Sequence, residues 1–271
     1  MTIQYALIEA FRDTQLQMRE NPALKSATLA MQAATRLYLN DFSAIDPCLK
    51  STAPHISVLA DTSLHCAQGQ ITPSKRVTVL NFANAYHPGG GVKKGAAAQE
   101  ECLCRSSNLY AALTLPYMLK HYYKWNEKNT GDMGSDRIIY SPGVTVFKSD
   151  DSIPENLDAF FRTDVITCAA PIYNPFKKHP VTEDKLRSVF RDRIRNILET
   201  AAANGADILI LGAFGCGVFG NPPELVASVF HELLIHNEYY RYFEKIIFAI
   251  KPSSEDCPNL AAFRKQFSPE A

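Results

Sequence analysis

The sequence has no run of apolar residues long enough to span a bilayer. Residues 1–20 mix Glu, Arg and Gln with apolar side chains and lack the uninterrupted core of a signal peptide. There is no excess of charge either: 28 Lys and Arg balance 28 Asp and Glu, a formal net charge of zero. A protein whose affinity rests on a general basic field, such as a nonspecific nucleic-acid coat, needs the opposite. A local anion site stays open, because a few backbone amides leave no mark on net charge. Paired C-x-x-C spacings are missing, which argues against structural zinc, and seven cysteines is an odd number for a disulfide framework. What is present is 271 residues, 46% hydrophobic and 21% charged. That suffices for one large domain, or a domain with an appendage, around a real core. The expectation is a soluble protein of a reducing compartment, the cytoplasm, with no membrane contact and no nonspecific nucleic-acid binding.

Patterning divides the chain near residue 75. The first fifty residues read as helical: Ile8, Phe11, Leu16 and Met18 sit among polar residues, Pro22 interrupts, and Leu24, Leu29, Ala33 and Leu37 follow at helical spacing over 23–38. Residues 46–74 lack a sustained period and read as a connector with one short strand near Ile56–Leu59. Strands and helices then alternate. Strands are expected at 76–80, at 137–140 and 144–147 as a pair around Ser141-Pro-Gly143, at 164–169, 207–211 and 245–250; helices at 96–113, 182–203, 222–234 and 258–267. This alternation predicts an α/β sandwich. The division is therefore 1–74, helical segment and connector, and 75–271, α/β core.

Two glycine-rich loops follow strands. Gly89-Gly90-Gly91 comes after the strand at 76–80; three glycines in a row are costly to order and make sense where backbone must approach a ligand. Asn81 and Asn84 precede them, and Gln99-Glu100-Glu101 open the next helix, where acidic residues also complement the helix dipole. The second loop, Gly215-Cys-Gly217-Val-Phe-Gly220, runs into Asn221, a natural N-cap, and Pro222, suited to a first helical turn. Glycines entering a helix present amides to phosphate. This is formally a G-x-G-x-x-G, yet no carboxylate ends the following strand, where Lys251 and Pro252 stand, so a dinucleotide-binding Rossmann unit is disfavoured. Two phosphate-friendly loops at strand ends, one beside a carboxylate pair, suggest a nucleotide-like ligand whose ether or acetal bond is attacked near those carboxylates.

The triple glycine, a seven-residue gap and Gln99-Glu100-Glu101 closely resemble the signature of bacterial-type poly(ADP-ribose) glycohydrolases. Leu80-Asn-Phe-Ala-Asn84, the segment Leu103–Tyr110, Ala169-Ala-Pro171 and the segment Leu211–Asn221 resemble that family too, over about residues 75–250. The resemblance implies a macrodomain-like three-layer α/β/α sandwich with a mixed central sheet, the N-terminal helices being an accessory segment. It implies Glu101 as catalytic acid, Glu100 as its neighbour on the scissile ribose, and Asn84 bonding that ribose. Gly89, Gly90 and Gly91 would line the diphosphate and ribose, with Gln99 beside them. Gly215, Cys216, Gly217, Val218 and Phe219 would form the second diphosphate loop, Phe219 near the distal ribose. The implied substrate is ADP-ribose or poly(ADP-ribose) on modified protein or nucleic acid, with no cofactor and no metal. Removal of single ADP-ribose units from protein or DNA, or binding without cleavage, are the alternatives; a pure reader has no need of the carboxylate pair.

Glycoside cleavage needs a proton on the leaving oxygen and a stabilised oxocarbenium-like transition state. A helix N-terminus lowers a carboxyl pKa, so burial and a like charge next door must outweigh it for Glu101 to be protonated near neutrality. Other conspicuous residues have plainer readings. Cys102 and Cys104 read as core thiols, Cys216 as a small loop residue, Trp125 with Tyr122 and Tyr123 as packing, and Lys93-Lys94 as a solvated loop within reach of further polymer phosphates.

Overall fold

The computed structural model describes residues 2–39, 48–178, 181–252 and 255–267. Helices α1 (Ile3–Glu20) and α2 (Pro22–Ala34) meet at Asn21, whose carboxamide oxygen accepts from the amides of Ala23 and Leu24 and caps α2. Strand β1 (Arg36–Tyr38) replaces the expected end of the second helix, and the expected helical reading of 40–47 lies outside the described residues. Strand β2 (Ile56–Leu59) falls where expected; helix α3 (Ser63–Gln68), capped by Thr62, was not anticipated in the connector.

The core follows as β3 (Val77–Ala83), α4 (Gln99–Ser106), α5 (Leu109–Leu113), α6 (Pro116–Met118), a π turn at Leu119–Tyr123, and α7 (Lys124–Asn129). Next come β4 (Ile138–Lys148), β5 (Asn156–Ala169), α8 (Glu183–Ala203), β6 (Ile208–Leu211), α9 (Pro223–His231), β7 (Lys245–Ala249) and α10 (Pro258–Phe267). They build one seven-stranded sheet in the order β1-β4-β5-β3-β6-β7-β2, antiparallel across β1-β4-β5 and parallel thereafter. Both edge strands come from the segment before residue 75, which is therefore woven into the sheet.

The central strands are apolar on both faces, as a covered parallel sheet requires. Successive residues alternate between two cores. Leu80, Leu209, Leu211, Ile246 and Phe248 join α8, α9 and α10 on one side, while Val79, Ile210 and Ile247 join α4 and α5 on the other. The result is a three-layer α/β/α sandwich with a mixed sheet.

Three expectations are corrected. The helix at 96–113 breaks at Ser107–Asn108 because distant partners claim both residues: the backbone of Ser107 is extended and bridges Val146, and the Asn108 side chain accepts from the Thr145 amide and donates to Thr28. The strand pair around Ser141-Pro-Gly143 is a single strand with an irregularity at Ser141/Val144, where Pro142 has no N–H to offer and the Gly143 amide donates to Asp164. Asn221 is not the N-cap of α9; Pro222 stands there, and Asn221 turns inward.

Candidate active site

A cavity of about 690 Å³ runs along the C-terminal ends of four parallel strands, where open α/β sheets hold ligands. Asn84, Gly90 and Gly91 line it beyond β3, Ala213 and residues 215–219 beyond β6, Ile250, Lys251 and Pro252 beyond β7, and Asp61, Thr62 and Ser63 beyond β2. The first turn of α4 brings Gln99, Glu100 and Glu101 to the same wall.

Consecutive residues of a helix point about 100° apart, so the two glutamates meet different partners. The Glu100 carboxylate accepts from the Asn84 amide through Oε2 at 2.8 Å and from the Gly89 amide through Oε1 at 3.2 Å. Glu101 Oε1 accepts from the Gly91 amide at 2.8 Å; Glu101 Oε2 has no hydrogen-bond partner among the described residues. Both side chains are buried. The glycine run thus serves the carboxyls as well as the cavity. Gly89 is buried and its amide faces Glu100, whereas Gly90 and Gly91 line the cavity.

Gln99 also faces the cavity, but its carboxamide is occupied. It accepts from the Phe82 amide at 2.9 Å and donates to the Leu80 carbonyl at 2.7 Å and to Ser63 at 3.1 Å, pinning α4 to β3. Asn84 Oδ1 accepts from the amides of Tyr86 and His87, which leaves Nδ2 as its donor toward a ligand.

Burial pushes the Glu100 carboxyl up to about 8; the charge of Glu101 adds to this, and the Asn84 and Gly89 amides oppose it. This rise belongs to the Glu100 carboxyl. Its folded-state value lies above the 4.5 of an ordinary glutamate, so the folded chain keeps a proton that the unfolded chain has released. That contribution to stability is complete below about pH 4.5, declines as pH rises, and is gone once pH passes about 8. Denaturant titrations from pH 5 to 8.5 should show this decline, and Glu100→Gln should flatten it; an unchanged slope in the variant assigns the dependence to another group.

Across the cavity, the second loop is held by Asn221. Its Nδ2 donates to the carbonyls of Pro171 at 2.7 Å and Gly215 at 2.8 Å, tying the ends of β5 and β6 together. Gly215 is buried, Phe219 is half-buried against the core, and Val218 is 89% exposed. Burial, aided by Glu224, pushes the Cys216 thiol up to about 12, so it is a neutral loop residue. A Cβ at Gly217 would meet nothing within 4 Å among the described residues, although the residue lines the cavity. Gly217→Val should therefore leave the melting temperature unchanged while weakening ADP-ribose binding at least about tenfold, measured by calorimetry, since a side chain there blocks approach to the loop amides. Unchanged affinity removes this loop from the site.

The far arm of the cavity, Asp61, Thr62, Ile250, Lys251 and Asn259, went unrecognised in the sequence. No motif marks it; it exists because β2 pairs with β7, nearly 190 residues downstream. Lys93 and Lys94 are exposed on the turn after the glycines, Lys93 lying 5.5 Å from the centroid of the Tyr110 ring. Tyr122 and Tyr123 are buried, Trp125 carries the Arg137 guanidinium 3.5 Å above its ring, and none of the three lines the cavity. Cys104 is buried, and Cys102 lines the cavity. Among the described residues no cluster of His, Cys, Asp and Glu is arranged to hold a metal, and no helix is long and apolar enough to cross a membrane.

Residues 8–149, about half of the chain, match the family described as microbial-type PARG, catalytic domain. The chain belongs to that family. A crystal structure of poly(ADP-ribose) glycohydrolase from Thermomonospora curvata is 31% identical, covering 97% of this chain and 100% of its own, with a TM-score of 0.84; a second, bound to the inhibitor ADP-HPD, gives the same values. The Deinococcus radiodurans enzyme in complex with ADP-ribose is 32% identical over 88% of this chain and 96% of its own, with a TM-score of 0.76. No curated protein sequence matches. The microbial-type PARG match ends before the second glycine loop, but the likeness to the Thermomonospora structure spans nearly the whole chain and so extends beyond it.

Proposed function

We propose that this chain hydrolyses the ribose–ribose O-glycosidic bond of poly(ADP-ribose) and releases ADP-ribose from chain ends. The observation that carries the reading is the Glu101 carboxyl, which lines the cavity with one oxygen held by the Gly91 amide and the other without a partner among the described residues. The names of the solved relatives, one with ADP-ribose bound, support it. A cavity of about 690 Å³ has room for one ADP-ribose unit, which favours action at a terminus.

In this reading the scissile ribose lies against Glu100, Glu101 and Asn84, and the diphosphate sits between Gly90–Gly91 and the amides of residues 215–219. Adenine extends toward Asp61 and Thr62: the carboxylates of Asp61 and Asp150 at that end repel phosphate and suit a base with an exocyclic amine. The fold would be a macrodomain working in the reducing cytoplasm, on polymer carried by modified protein or nucleic acid; all seven cysteines are free.

A single carboxyl can protonate the leaving 2′-oxygen and then, as carboxylate, take a proton from the incoming water. The rise to about 8 means that Glu100 keeps its proton near neutrality, and Glu101, whose Oε2 has no partner among the described residues, is the carboxyl placed to act on the leaving oxygen. Turnover should accordingly fall off above about pH 8. The test is incubation with poly(ADP-ribose), mono-ADP-ribosylated protein and ADP-ribosylated DNA, each assayed for free ADP-ribose. Release from polymer as monomer is expected. Release from a mono-modified substrate alone would move the function to single-unit hydrolysis, and binding without release would leave a reader.

A further inference from the structure

Arg105 sits one helical turn beyond Glu101, on the same side of α4, and is 1% exposed. Its Nη1 donates to the Ala96 carbonyl at 2.5 Å and its Nη2 to Cys102 Sγ at 3.4 Å, while Nε has no partner and no carboxylate lies within ion-pairing distance among the described residues. A buried guanidinium without a counter-charge costs stability, and an apolar replacement at such a position is often neutral or better. Packing alone therefore does not account for it.

The contacts beyond Arg105 form a short closed circuit. Ala96, held by Arg105 through its carbonyl, donates its amide to the Gly91 carbonyl at 3.2 Å; the Gly91 amide in turn donates to Glu101 Oε1 at 2.8 Å. The turn is tight enough that a Cβ on Gly91 would lie 2.8 Å from the Ala96 Cβ, so a displacement of Ala96 is passed directly to Gly91. We propose that Arg105 is a positioning residue for the Glu101 carboxyl, fixing through the Gly91–Ala96 turn the amide that holds Glu101 Oε1. The circuit begins and ends on one helix, which makes the turn and the carboxyl a single unit. The activity arms of the test rest on the glycohydrolase reading above; the exchange arm does not.

The variants are Arg105→Met, close in shape but without donors, and Arg105→Lys, which keeps one donor group. Arg105→Met should lower kcat on polymer by up to about 10²-fold, the scale of a misplaced catalytic group, with KM within about threefold. Its melting temperature should be unchanged or higher, and Arg105→Lys should recover part of the lost kcat. In a Glu101→Gln background the same change should cost nothing further, because the two residues act through one path. Hydrogen exchange should show the Gly91 and Ala96 amides less protected in Arg105→Met than in the parent. An equal loss of kcat with and without Glu101, or unaltered protection of both amides, would overturn the proposal. If the parent releases nothing from polymer, the glycohydrolase reading fails by itself, and the exchange comparison still decides whether Arg105 holds the turn.

Discussion

Glu101→Gln should lower kcat on poly(ADP-ribose) by at least about 10²-fold, close to 3 kcal/mol of transition-state stabilisation, while ADP-ribose binds within a few-fold of the parent. The substitution keeps the shape of the side chain and leaves an oxygen to accept from the Gly91 amide, the one hydrogen bond that the Glu101 side chain makes among the described residues. What it removes is the proton. In the proposed reading the binding energy comes from backbone amides and from the walls around the base, none of which the substitution changes. Parallel loss of affinity and turnover, read by calorimetry and by ADP-ribose release, would instead assign Glu101 to holding the ligand or the loop.

The second large effect is expected at Gly90. Its φ is +56°, a conformation that costs an alanine about 1–2 kcal/mol, and a Cβ there would lie 2.4 Å from Glu101 Oε1 and 3.1 Å from Glu100 Oε2. Neither carboxyl can retreat, because both are buried and held by amides of the same loop. Gly90→Ala should therefore push the carboxyls out of position and reduce kcat/KM by about 10²-fold or more. Gly143→Ala is the control. That residue has φ +66° with nothing within 4 Å of an added Cβ among the described residues, so it bears the backbone cost alone and should lower stability by about 1 kcal/mol without changing kcat/KM. If Gly90→Ala behaves like Gly143→Ala, the contact between the glycine loop and the carboxyls has no bearing on turnover.

The parts legible in the sequence are those written locally. Thr182 ahead of α8, the β-branched run of β3, the apolar run of β6 and the two glycine loops all announce themselves within a few residues. The misreadings share one cause, a local signal overridden by a distant partner. Ser107 and Asn108 look like ordinary helix interior until β4 and α2 claim their hydrogen bonds. Asn221 has the side chain of an N-cap, but the carbonyls of Pro171 and Gly215 draw it inward. The first half of β5 is mostly exposed and so carries no buried-strand pattern. At the site, the glutamates and glycines were visible as types, but their division of labour was not. That Gly89 serves Glu100 and Gly91 serves Glu101 depends on how the loop doubles back, and the far arm with Asp61 depends on the pairing of β2 with β7.

The claim that Glu101 delivers a proton to the leaving oxygen has a direct test in leaving-group dependence. A general acid matters most when the departing oxygen is a poor leaving group, as the ribose 2′-oxygen is, and least when it departs readily as a phenolate. The measurement is kcat for parent and Glu101→Gln on poly(ADP-ribose) and on an ADP-ribose conjugate carrying an activated phenol at the anomeric carbon of the terminal ribose. The expected result is a deficit of at least about 10²-fold on the polymer that shrinks by about tenfold or more on the phenol conjugate. An equal deficit on both substrates would contradict proton delivery by Glu101.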